Sequence, residues 1–418
     1  MLAPLCILAT VFLRAIQLLW LLCCGVLANA QAVGEDTAMW VGCHKPTLLA
    51  SHPLGQFIGR INHNFNTVPV TQPAFSFGLT NANVWQPEVR AYLPHDAEAT
   101  KFLSLHPWHK RDSIFQAMPR NYDSTVYVAD GVMRTFNVAV RFRVSRFGEL
   151  QIIGRAMWLT GGEAPTAWVV SDGFIEDFHS HIKGGEDPFA RKQYAYNQAS
   201  IFYLDRTGKS LHLKKGQVVI PGVQVNYHVY ANHKVLKKYR IQASAGLHLG
   251  LNLPAFSRSV DGGLSGVLQK QFIHKGKQVY TLAVAGGLLR QQAWAAQSHV
   301  DFSRSKWLPS IESMFEYRQQ KSRQHYWAIG LNFYYLGSYH PAGQFNDVTP
   351  IGNRYSSHWH LALTHLYRNS QYWSLVYTLG RKCVWSVYAL QDFKVNNGPD
   401  FQTGIAVELP LALFRATN

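Results

Sequence analysis

The sequence predicts an all-β fold, an antiparallel transmembrane β-barrel of about twelve strands with one short α-helix in a long loop. Three observations lead there. Only 15% of the 418 residues are charged, well below the roughly 25% of a soluble domain. Aromatic residues make up 13%, yet beyond the first 30 residues no apolar run is long enough for a helical span, and the mean hydropathy is −0.11. The apolar residues instead recur at every second position in short segments, the period of strands with two unlike faces. A multi-span helical membrane protein, a disordered chain and a collagen-like chain are all excluded.

Residues 1–30 read as a signal peptide: Arg14 precedes the apolar stretch IQLLWLLCCGVL, and Ala28 and Ala30 stand where a small-residue cleavage site belongs. Cys6, Cys23 and Cys24 leave with it. The exported chain keeps Cys43 and Cys383, and two separate thiols and one bridge fit the sequence equally. Residues 31–120 are rich in Pro, His and Asn, with short strand-like pieces at 74–80 and 84–93. This stretch reads either as a lead-in that partly plugs or lines the barrel or as an irregular first hairpin.

Residues 121–418 carry the barrel pattern. In 326–336, Trp327, Ile329, Leu331, Phe333 and Tyr335 alternate with Tyr326, Ala328, Gly330, Asn332 and Tyr334. Similar runs occur at 136–144, 150–159, 222–231, 239–250, 265–274, 280–288, 308–317, 359–367, 373–379 and 401–413. A soluble sandwich also alternates. Here, however, the apolar faces bear Trp327, Trp359, Trp373, Tyr280 and Tyr377 near strand ends, as an aromatic girdle requires, and the other faces are small or polar, as a wet lumen requires.

Lys234-Val235, Lys275-Gly276 and Asn369-Ser370 read as tight turns, whereas 161–193, 292–306 and 338–353 are long connections. The longest predicts a helix over 173–182. Ser171 or Asp172 caps it, Glu176 and Asp177 lie in its first turn, and Gly184 follows. Phe174, Phe178 and Ile182 form one stripe, which suits the barrel rim or the membrane surface.

The run Asp172-Gly173-Phe174-Ile175-Glu176-Asp177-Phe178-His179, with Gly184-Gly185, Asp187-Pro188, Arg191 and the Pro399-Asp400-Phe401 start of the last strand, resembles a family of bacterial outer-membrane barrels. That family is known only as Domain of Unknown Function 3187. The resemblance implies the barrel fold and an outer-membrane location, and no activity.

Enzyme motifs are missing from the sequence. No His-x-Ser places a base and a nucleophile on one strand face, and there is neither a Gly-x-Ser-x-Gly elbow nor a His-Glu-x-x-His helix. Gly208-Lys209-Ser210 ends like a phosphate loop, but Tyr203 stands where its first Gly belongs. Glu176, Asp177, His179 and His181, with Glu186 and Asp187, form the densest polar cluster and could hold a divalent cation, or simply make an acidic helix start and a solvated turn. His358 and His360 share a strand face and read as lumen lining before metal ligands.

The chain carries a net charge of +16. Arg141, Arg143, Arg155 and Arg240 fall at strand positions that could line the lumen and favour anions, while most other basic residues suit the rims. The expected function is therefore a narrow or plugged channel or a structural surface protein of the outer membrane, not an enzyme and without a cofactor. Its expected partners are outer-membrane lipids including lipopolysaccharide and the outer-membrane insertion machinery, with no nucleic acid. The alternatives are a lipid-acting enzyme of the same membrane and a secreted β-sandwich binding protein.

Overall fold

The computed structural model describes residues 42–45, 60–94, 122–183, 197–275, 277–301, 305–322, 325–338, 349–351, 354–356, 369–392 and 401–410. The strands in chain order are β1 (Ala74–Pro94), β2 (Tyr122–Arg143), β3 (Gly148–Thr160), β4 (Ser200–Leu204), β5 (Ser210–Lys214), β6 (Val218–Tyr230), β7 (Ile241–Asn252), β8 (Ser259–His274), β9 (Gln278–Ala295), β10 (Trp307–Gln320), β11 (Tyr326–Leu336), β12 (Thr349–Ile351), β13 (Arg354–Ser356), β14 (Ser370–Gly380), β15 (Val384–Asp392) and β16 (Phe401–Pro410).

Twelve of them close a barrel. Antiparallel pairing runs β1, β2, β3, β6, β7, β8, β9, β10, β11, β14, β15, β16 and back to β1, so no edge is left open. β4 and β5 extend the upper part of β2 as a hairpin, and β12 and β13 form a separate small one. Closure resolves the choice between barrel and sandwich, because a strand ring whose outer wall is apolar has a solvent only in lipid.

The outer wall carries the greasy positions. Leu264, Leu268, Phe272, Leu282, Ile311, Phe315, Leu331, Leu375 and Val387 are all exposed, while the alternate positions Gln269, Gln271, Thr281, Ser310, Asn332, Ser374 and Ser386 are buried inward. Tyr280, Tyr317 and Trp327 cluster on the outer wall, at ring-centroid distances of 5.1 and 5.5 Å. Phe333 and Trp373 pair at 4.6 Å. Trp359 lies outside the described residues.

Short connections join β2 to β3, β8 to β9, β10 to β11 and β14 to β15 on the rim where β1 starts and β16 ends, the periplasmic rim of such barrels. The β6–β7 connection on that rim holds a helix, α2 (Lys234–Lys238), in place of the tight turn expected at Lys234-Val235. Ser370 opens β14, and the residues immediately before Asn369 lie outside those described. β11 pairs directly with β14, with no barrel strand between them. The candidate strand 359–367 falls outside the described residues, as does the 1–30 segment.

The barrel starts at Ala74, inside the stretch expected to be lead-in or first hairpin. β1 was legible only as two pieces because Asn81 and Asn83 interrupt its apolar face between them; its register shift between Gln86 and Val89, at Pro87, falls within the second piece. In the long β3–β4 connection the chain forms a 3-10 turn (Ala167–Val170), helix α1 (Asp172–Phe178) and a π-turn (His179–Lys183). Ser171 is the N-cap, accepting from the Phe174 N–H at 3.3 Å.

Candidate functional site

The lumen is filled by the chain's own N-terminal segment. One leg is Gly42–Lys45 and the other runs from Arg60 down to β1. The legs touch where Gly42 meets Phe65: a Cβ at Gly42 would stand 1.7 Å from the Phe65 carbonyl oxygen, so only glycine fits there.

β10 provides the wall for the first leg. Glu312, Glu316 and Arg318 share its inward face, as residues spaced by even numbers must. Lys45 Nζ pairs with the Glu312 carboxylate, which also accepts from Asn332 Nδ2 at 2.9 Å. The His44 N–H donates to Glu316 at 3.2 Å, and Arg318 bridges Glu316 and the Gly42 carbonyl at 2.6 Å each. Cys43 is buried among these groups, and Cys383 lies in the β14–β15 turn, so the two are separate thiols.

The second leg crosses to the opposite wall. The Arg60 guanidinium lies 4.0 Å from the Tyr334 ring centroid and 5.5 Å from that of Tyr372. His63 Nε2 is 3.2 Å from Ser310 Oγ. Asn64 donates to Tyr230 Oη at 2.6 Å and to Glu149 at 3.3 Å, and the Val70 N–H donates to Glu149 at 2.8 Å. Between the legs and the wall a small polar cleft of about 50 Å³ remains, bordered by Cys43, His44, Lys45, His63, Arg141 and Glu408.

Of the four candidate lumen arginines, two line it. Arg141 pairs with Glu408 at 2.5 Å and lies 3.7 Å from Glu149, so its charge is balanced. Arg155 is buried on the inward face of β3. Arg143 folds back onto the β2–β3 turn, donating to the Ser145 and Arg146 carbonyls. Arg240 is exposed, in a left-handed turn (φ 53°) before β7, and does not reach the lumen. Both lie where β strands give way to turns, and inward phase is lost there.

The loop cluster does not converge on a cation. His179 Nδ1 bonds the Ile175 carbonyl and His181 Nδ1 the Asp177 carbonyl, each one turn back, while Glu176 is buried and Asp177 exposed. No metal-holding group of three His, Cys, Asp or Glu occurs among the described residues. Glu186, Asp187, His358 and His360 lie outside them.

The β4–β5 hairpin closes the outer mouth. It leaves β2 and reaches the β9–β10 connection, five strands around the ring. Tyr203 Oη donates to the Asp301 carbonyl at 3.0 Å, Lys209 Nζ to the His299 carbonyl at 3.2 Å, and the Asp301 N–H to Asp205 at 2.9 Å. Its Ile201, Leu211 and Leu213 join Met133, Met157 and Leu159 of β2 and β3 in one buried apolar layer. Burial and the nearby Lys306 and Lys209 push the His299 imidazole down to about 4.

Sequence reading missed a hydrogen-bonded chain on β6, β7 and β8. Ser265 Oγ is 2.7 Å from His248 Nε2, and His248 Nδ1 is 2.8 Å from Asn226 Oδ1. Asn226 Nδ2 donates to Gln151, which turns Oδ1 toward His248 and leaves the proton of that imidazole on Nδ1. Three strands contribute, so no spacing along the chain announces it; the inward phase of each strand would.

No protein-family model and no curated protein matches the chain. Among solved structures it is similar to an outer membrane channel from Pseudomonas putida F1, at 7% identity over 82% of this chain and 96% of that one, TM-score 0.35. LpxR from Salmonella typhimurium matches at 6% identity over 80% and 99%, TM-score 0.35. At such scores these likenesses carry no argument about activity. The closed ring, its apolar outer wall and its polar interior make this chain a β-barrel protein of the bacterial outer membrane.

Proposed function

We propose that the protein is a channel held shut at rest by two closures in series, the inserted N-terminal segment and the β4–β5 hairpin. The Lys45–Glu312 pair carries this reading. A segment that merely led into β1 needs no counter-charge in mid-lumen, whereas a displaceable plug must satisfy the wall charges it covers. Apart from Cys43, Ile61 and Phe65, the legs meet the wall through polar groups, and glycine stands at their crossing, as suits a part that can leave as a unit.

In this reading the barrel does no covalent chemistry. The Ser265–His248–Asn226 chain is a ladder that stiffens the wall, since Gly246 leaves room only for His228, His248 and Ser265 to close on one another. Outer-membrane lipids including lipopolysaccharide, and the insertion machinery, are its partners, and kinship with Domain of Unknown Function 3187 is proposed on the α1 loop run.

Planar-bilayer recording tests the proposal. The unaltered protein is silent, and stepwise conductance emerges when Lys45→Glu and Asp205→Ala are combined. Conductance from the unaltered protein, or silence of the combined variant with its segment displaced, would overturn it; the latter leaves a structural surface barrel.

A further inference from the structure

Three strands lack part of their lipid belt. On most of the ring the outward apolar positions run long, as on β9 from Tyr280 through Leu282 and Val284 to Leu288. Around β1 they stop early. Its outward rows, read across β2, β1 and β16, are Val140–Phe75–Leu409, Val138–Phe77–Val407 and Phe136–Leu79–Ile405. The next row is Arg134–Asn81–Thr403, which is polar. Rows two residues apart are about 7 Å along a strand, so three rows on tilted strands cover roughly half of the ~25 Å belt.

The β3–β4 connection lies over this polar gap on the outside of the barrel. Arg134 Nε donates to Asn81 Oδ1 at 2.9 Å, and both side chains donate to Thr166 Oγ1 at 3.2 Å. Asn83, next on the same face, donates to the Val170 carbonyl and to Asp172 Oδ1, each at 3.0 Å. Ala167 and Val170 are buried against outward Val132, with Trp158 and Phe401 packed alongside. The inner side of the connection thus bonds Arg134, Asn81 and Asn83. Its outer side is greasy: Trp168 is 60% exposed, Ile182 71% and Phe178 37%, and Phe174 meets Trp168 edge-on at 6.0 Å.

We propose that Ala167–Lys183 is a strap that rebuilds the lipid belt over β1, β2 and β16, with Trp168, Phe178 and Ile182 seated in the outer leaflet. The occupant follows from continuity: the strap covers outward positions of the same strands whose lower rows already face lipid. Polar side chains on this wall are tolerated because the strap, not lipid, bonds them. The inference stands whether or not the lumen conducts.

Single cysteines carrying an environment-sensitive nitrobenzoxadiazole label test it, in a Cys43→Ser, Cys383→Ser background reconstituted in phosphatidylcholine vesicles with nitroxide lipid. Labels at Trp168→Cys and Ile182→Cys are expected to be blue-shifted and quenched several-fold more than one at Lys215→Cys, approaching one at Phe77→Cys. Heat-modifiable gel mobility reports that each labelled barrel is folded, and Phe178→Cys replaces either site that fails that check. Strap labels quenched by aqueous iodide as fully as Lys215→Cys, and untouched by nitroxide lipid, would overturn the proposal.

Discussion

Lys45, on the inserted segment, and Glu312, on the inner wall of β10, form an ion pair across 267 residues of chain, with Asn332 as the carboxylate's other partner. Removing one member strands the other. Lys45→Met is expected to cost about 3–5 kcal/mol, because Glu312 is left charged and buried. Adding Glu312→Gln is expected to restore most of the loss. Denaturant unfolding of the two single variants and the double variant, in detergent, measures the coupling.

Gly42→Val is expected to separate the legs without opening the ring. Its Cβ would overlap the Phe65 carbonyl, a backbone atom that no rotamer change moves. Limited proteolysis should then cut within residues 42–73, while heat-modifiable mobility of the barrel is kept. An uncut segment would contradict the crossing.

An opened pore should show no anion preference. Arg141, the most central candidate for attracting anions, is neutralised by Glu408 and Glu149, and Lys45 leaves with the segment while Glu312 and Glu316 stay. Reversal potentials in a salt gradient check this. Strong anion selectivity would mean that Arg155 dominates the field.

The outer hairpin should loosen in acid. Docked, His299 titrates near 4; undocked, it returns to about 6.5. A depressed histidine favours the docked state above 6.5, and that advantage is lost as pH falls from 6.5 to 4, since only the undocked state takes up the proton. Hydrogen exchange of residues 200–214 at pH 7 and pH 5 measures it, with faster exchange at pH 5 expected once each rate is divided by the intrinsic rate at that pH. Asp205→Ala, which removes acceptors for Thr207, Lys209 and Asp301, should give the faster rate at both.

Ser265 should resist a fluorophosphonate probe even in the combined Lys45→Glu, Asp205→Ala variant. His248→Ala is expected to cost about 1–3 kcal/mol through unsatisfied partners. An adduct at Ser265 that His248→Ala abolishes would instead make the chain a nucleophile and its base.

What the sequence displays is phase along single strands, and the fold follows it closely. β11 alternates without a break, so Trp327, Ile329 and Leu331 pointed outward and Asn332 inward before any pairing was known. β15 escaped notice because its inward face includes Tyr388 and Leu390, which blur the polar alternation. The lumen contacts were illegible for another reason. Lys45 with Glu312, Asn64 with Glu149 and Ser265 with His248 depend on strand order and register, which no local period encodes. Arg240 was misplaced because a strand phase was extended through a left-handed turn.

The central claim is that the N-terminal segment fills the lumen in the folded protein, and Cys43 offers a direct reading. It lies beside Thr281 on the inward face of β9. In a Cys383→Ser background, Thr281→Cys should form a disulfide with Cys43 under mild oxidation, seen as one linked peptide by mass spectrometry of folded barrels. Two thiols that both react with a water-soluble maleimide and never join would contradict the plugged lumen.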